Sequence, residues 1–199
     1  MKKTSRISVL IISLALIAVY FLPVWEIELE APQYPEGLGM NIWINKITGD
    51  LNTINGLNHY IGMKTIQPDS IKELTLMPYI LGALILLGIS VVIAGRKKLL
   101  IVWVVFFMML GIAGAVDFYL WEYDYGHNLN PEAAIKIPGM SYQPPLIGSK
   151  QLANFTAYSI PDTGGIILIV AGIASLVIFF YDRRKWGRTK KRLINKNIN

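Results

Sequence analysis

The only two histidines of the chain, His59 and His127, lie far apart in sequence, and each has methionine in its neighbourhood: Met40 and Met63 around the first, Met140 after the second. Thioether sulfur and imidazole nitrogen suit Cu(I), a soft ion satisfied by two or three such ligands. Zinc more often recruits thiolates or further histidines, and calcium or magnesium wants an oxygen cage. Cysteine is absent, which excludes thiolate metal sites, iron–sulfur clusters, disulfides and cysteine nucleophiles. The candidate metal ligands are therefore His59, Met63, His127, Met140 and Met40, and Cu(I) is the ion they point to. His59 and Met63 are spaced i, i+4 in the stretch 51–63, which reads as a short helix or turn across a membrane surface, so imidazole and thioether share a face. The plainer alternative is that the histidines hydrogen-bond in loops and the methionines fill core gaps beside glycine and proline. Asp117, Glu122 and Asp124 either orient a histidine ligand or are solvated at a helix end. No nucleophile with its base, and no pair of acids spaced around a water, can be singled out, so no enzymatic activity is expected.

These residues are positioned by a membrane frame. The chain is 53% hydrophobic and 16% charged, with a mean hydropathy of +0.45. Four apolar stretches, 7–25, 76–95, 99–120 and 164–181, each approach the ~20 residues that cross ~30 Å of hydrocarbon. None holds a basic residue, and Asp117 is the only acidic residue inside one. The first follows Lys2, Lys3 and Arg6 but lacks a small-x-small cleavage site, so it is expected to remain as an anchor. Of the nineteen Lys and Arg residues, three precede the first stretch, three lie at 96–98 and eight follow the fourth. The long loops hold only Lys46, Lys64, Lys72, Lys136 and Lys150, with nearly all the acidic residues. The positive-inside rule then places 1–6, the turn 96–98 and the tail 182–199 in the cytoplasm, and loops 26–75 and 121–163 outside. The net charge of +6 is explained by this topology: the basic tail sits on anionic lipid headgroups, and no nucleic acid is expected as a partner.

Gly82, Gly88, Gly111, Gly114, Gly165, Ala171, Gly172 and Ala174 predict close helix packing, and without a charged path through the spans a transporter or proton pump is disfavoured. Trp25, Tyr119, Trp121 and Trp186 fall where interfacial aromatic belts lie. The first loop alternates with period two over Trp25–Glu30 and Met40–Asn45, with Pro32, Pro35, Gly37 and Gly39 as breaks, so a small sheet or hairpin is expected there. Turns fixed by proline and glycine in the second loop, with its Tyr and Met residues, are expected to pack on the first. The expected fold class is an all-α integral membrane protein of four transmembrane helices, carrying a small α+β extracytoplasmic cap formed by two loops.

The segments Leu29–Leu38, Ile54–Met63 and Pro138–Gly148 resemble those of small multi-pass membrane proteins encoded beside nitrous oxide reductase and its copper-maturation genes in several bacterial lineages. The likeness spans most of the chain, including the helix layout, and rests on loop phrases without a catalytic signature. It implies an accessory role in denitrification: holding or delivering copper for a periplasmic cuproenzyme, or anchoring that enzyme's assembly beside its maturation proteins. It assigns no residue a role. Two alternatives stay open: a metal-free docking platform, and a membrane subunit of an electron-transfer complex. Against the latter, heme ligation in the bilayer needs histidines in the spans, and both lie outside.

Overall fold

The computed structural model describes residues 1–196, with side chains through Arg183. The basic side chains of 184–196, Trp186 with them, lie outside the described side chains, and 197–199 lie outside the described residues. The first apolar run forms α1 (Lys3–Ala15) and tightens into a 3-10 turn over Leu16–Phe21. Leu22 then turns extended, as the steric demand of Pro23 on its predecessor requires, and the chain enters β1 (Trp25–Ala31). After β2 (Tyr34–Ile42) and β3 (Ile47–Gly49) comes α2 (Leu51–Ile61), which Gly62 ends with φ +82°. The helix expected across 51–63 is thus present, two residues shorter. A short 3-10 turn at Pro68–Ser70 leads into α3 (Lys72–Ala94), and α4 (Lys97–His127) follows directly. The second loop contributes β4 (Gly148–Leu152) and β5 (Phe155–Pro161) before α5 (Thr163–Lys196).

Four helical segments are long and apolar enough to cross a membrane: Lys3–Phe21, Lys72–Ala94, Lys97–His127 and Thr163–Arg183. α1 and α4 each pack against both α3 and α5, which closes a four-membered bundle. At its centre the fully buried Trp103 donates its indole N–H to the Leu84 carbonyl at 3.0 Å. A Cβ on Gly88 would stand 2.2 Å from Ser13 Oγ, and one on Gly165 would stand 2.2 Å from the Val24 carbonyl oxygen, so these glycines are contact points as expected. Gly111 and Gly114 differ, since a Cβ on either would meet nothing within 4 Å.

At 31 residues α4 is roughly 46 Å long at ~1.5 Å per residue, well beyond the ~30 Å of a bilayer's apolar core. The helix expected to end at Leu120 runs on to His127, because nothing between Trp121 and His127 breaks it before Asn128 and Pro131. Residues 121–127 continue α4 as a post past the expected span of 99–120, and the sheet packs against that end of the helix.

All five strands form one antiparallel sheet in the order β3-β2-β1-β5-β4, so the two long loops share a single domain through the β1–β5 pair. Period-two alternation sends Ile27 and Leu29 to one face, with Leu38 and Met40 beside them on β2. This face packs on Ile54 of α2 and on Phe118, Trp121 and Tyr125 of α4. Glu26, Glu28 and Glu30 of β1 take the opposite phase and point to the other face. Trp25 ties β1 both to α4, its ring lying 5.2 Å from that of Phe118, and to β5, its N–H donating to Ser159 Oγ at 2.8 Å.

The second loop crosses the post at Gly126, whose carbonyl accepts from Tyr142 N at 2.9 Å. A Cβ there would meet Gln143 Cα and N at 2.4 Å, backbone that cannot swing aside. Gly126→Ala is expected to lower stability by about 1–3 kcal/mol, read as a fall in Tm of the detergent-purified chain. Gly56→Ala, in α2 where a Cβ meets nothing within 4 Å, should leave Tm unchanged or raise it through helix propensity.

Candidate functional site

Along the outer end of α4, Phe118, Trp121, Glu122, Tyr125 and Gly126 fall at helical spacings on the face turned toward the sheet. The aromatic members form a ladder, with ring centroids 6.4 Å apart for Phe118–Trp121 and 4.4 Å for Trp121–Tyr125. Glu122 is the polar residue in this row and is 0% exposed. It lines a cavity of about 50 Å³ between sheet, α2 and post. β1 supplies Ile27 and Leu29 to the walls, β2 supplies Met40, and α2 supplies Ile54 and Asn58. Met63 and Ile66 come from the segment after α2, and Tyr142 and Pro144 from the second loop.

Neither carboxylate oxygen of Glu122 has a hydrogen-bond partner, and the hydroxyl of Tyr142, itself 2% exposed, has none either. An ionised carboxylate so removed from water carries a large desolvation cost, and burial pushes the Glu122 pKa from 4.5 up to about 8. At neutral pH the group is mostly a neutral acid. Asp124, two residues further along the helix, shows the opposite behaviour at the surface. Hydrogen bonds from Lys64, at 2.5 Å, and from Asn128 hold its carboxyl below the usual range, and the Lys64 contact pins the segment after α2 to the post.

The five candidate ligands divide. Met40, 3% exposed, and Met63 line the cavity with Glu122. His59 and His127 are exposed and do not line it. The His59 ring meets the edge of Tyr60 at 6.1 Å, while His127 stacks on Tyr123 at 4.0 Å, with Nδ1 3.1 Å from the Tyr123 carbonyl oxygen. Met140 is half-buried in a turn closed by its own N–H to the Ile137 carbonyl at 3.1 Å, away from the cavity. Among the described residues no group of three or more His, Cys, Asp or Glu side chains is gathered as a metal centre. Thioethers fall outside that set, and those of Met40 and Met63 belong to residues lining the same cavity as Glu122. Asn58 and Tyr142 also belong to the cavity, although nothing in sequence singles them out. Glu122 did carry a signal: it sits in the middle of an aromatic stripe at i, i+3, i+4 spacing, which a solvated helix end would not show.

No protein-family model matches the chain, and no curated protein matches it.

The burial of Glu122 gives stability a definite pH dependence. A raised folded pKa contributes stability that is fully present below the ordinary carboxylate value and is lost as the pH climbs through about 8, because the folded chain holds this proton longer than the unfolded one. Glu122→Gln removes that loss. The variant should match wild type near ~pH 5 and exceed it by several degrees in Tm near ~pH 8.5. Parallel profiles for the two chains would mean that the carboxyl ionises freely.

Proposed function

We propose that this chain is a non-catalytic accessory protein of the bacterial cytoplasmic membrane. Its termini lie in the cytoplasm, its cap stands in the periplasm, and it serves the copper loading or assembly of a periplasmic cuproenzyme such as nitrous oxide reductase. The observation that carries this reading is that both long loops are spent on one folded cap, fixed to the spans by the α4 post. Glu122 is the one carboxyl among the residues lining the interior of that cap, with no second acid, His or Lys beside it there. The partition of Lys and Arg supports the orientation. The choice of copper is supported by the thioether and imidazole inventory and by the resemblance of the loop segments. A second reading, a metal-free docking platform, is favoured by the exposed rim of the cap, where Tyr60, Tyr123, Ile135 and Ile137 lie uncovered beside the two histidines.

In a denitrifying host, deleting the gene should leave nitrous oxide reductase short of copper and nitrous oxide accumulating, and the intact gene should restore both. Added copper should rescue a delivery defect and not a docking defect. A fully metallated, active reductase in the deletion strain would sink the proposal. Orientation is checked separately, because the chain has no cysteine of its own. Ser149→Cys should react with an impermeant maleimide on intact spheroplasts, and Lys98→Cys only after lysis; the reverse pattern would invert the topology.

A further inference from the structure

We infer that the groove between the first two turns of α1 and the last turn of α3 binds one anionic phospholipid, with its phosphodiester on Lys3 and Arg6 and an acyl chain along Ile7 and Leu10. The site rests on the membrane reading of the apolar helices and not on the accessory role.

The groove has a volume of about 530 Å³ and is lined by Met1, Lys3, Arg6, Ile7, Leu10 and Val92. That is within the ~300–1,000 Å³ of sites that take small organic ligands. Arg6 is held in place at its mouth. Nε donates to the Val92 carbonyl at 2.7 Å and Nη2 to the Ile93 carbonyl at 3.3 Å, so the guanidinium caps the last turn of α3, which Gly95 ends with φ +61°. These bonds use two of the five N–H donors of the fork and leave the others for a ligand. Lys3 stands one turn earlier on the same side of α1, while Lys2 lies over the Tyr181 ring at 4.5 Å. Among the described residues neither Lys3 nor Arg6 has a carboxylate partner, and no acid lines the groove. Asp182, the acid at this end of α1, is 5% exposed and accepts from Ser5 Oγ at 2.9 Å. A preset guanidinium beside an ammonium suits a phosphate oxygen. Two positive charges with no acid between them favour an anionic headgroup over a zwitterionic one, whose own ammonium they would repel. The remaining walls select a lipid over a free phosphate. Ile7 is 50% and Leu10 37% exposed, and Leu14 continues this uncovered row down α1. A phosphate ion would leave the row bare, whereas an acyl chain covers it. The cations also stand where the apolar surface begins, since Ile7 opens the first apolar run and Val92 lies near the end of the second. A phospholipid has the same order, with charge at one end and hydrocarbon directly below.

The test uses the full chain purified in detergent and stripped of lipid, titrated in turn with dioctanoyl phosphatidylglycerol, dioctanoyl phosphatidylcholine and inorganic phosphate. Tm is the readout, and native mass spectrometry counts what stays bound. Phosphatidylglycerol should raise Tm by about 3 °C or more and remain as one molecule per chain, while the other two should do neither. Its affinity should fall roughly tenfold in Lys3→Gln and in Arg6→Gln, and should be unchanged in Lys98→Gln, a basic residue outside the groove. Arg6→Gln also removes the cap on α3, so each shift is measured from the variant's own lipid-free Tm; Lys3→Gln leaves that cap in place. An equal shift with phosphatidylcholine would mean chain contact alone, and an equal shift with phosphate a bare anion site. A phosphatidylglycerol shift indifferent to Lys3 and Arg6 would put the headgroup elsewhere. Each of these overturns the inference, as does no shift at all, and none of them touches the accessory role, which the deletion strain tests. A chain that stayed in solution without detergent would instead sink the membrane reading beneath it.

Discussion

The backbone pairing of β1 with β5 joins segments from opposite ends of the chain, from Trp25 opposite Pro161 to Glu30 opposite Thr156. Its hydrogen bonding continues below the sheet, where Asp162 N donates to the Val24 carbonyl at 3.1 Å and Gly164 N to the Pro23 carbonyl at 2.8 Å. The exit of the first helical segment and the entry of α5 are therefore fastened by the same ladder that closes the cap. Without it, the β4–β5 hairpin would be two strands of marginal stability, and β1 would become an open edge. The cavity exists only because this pairing holds both loops over the post.

What the paired sheet covers is costly. A carboxyl with no partner for either oxygen, under a sheet of Ile, Leu and Met, opposes folding at every pH where it ionises. The surrounding aromatic ladder and aliphatic face offset that cost, and a gap of this size beside a buried acid would otherwise be filled by a side chain. Strongly perturbed acids in cavities concentrate at sites of function, which is why Glu122 outranks the two exposed histidines as the centre of interest.

Much of this was legible in the sequence. The four apolar segments, the alternation of Trp25–Glu30 that became β1, and the helix around 51–63 all follow from periodicity. β2 was only half visible, because Pro35, Gly37 and Gly39 read as breaks, while in the structure they belong to the strand. β5 hid for a different reason. Its buried positions are Ala157 and Ser159 and its exposed ones are Tyr158 and Ile160, so hydropathy assigns the wrong face. Small residues are required inside because Trp25 and the second loop crowd that spot: the Ser159 hydroxyl accepts from the Trp25 N–H and donates to the Leu146 carbonyl. The burial of Glu122 could not be read from its local sequence alone, since it depends on a helix outrunning its span and on a sheet closing over it.

The length of α4 has a further consequence. Glu122 stands only two residues beyond the expected end of the span at Leu120, about 3 Å of helix rise. The cavity therefore stands at the end of the long apolar run of α4 and not far beyond it. The unbroken helix also sets the height and tilt of the cap over the bundle, because the sheet packs on the same helix that packs against α3 and α5.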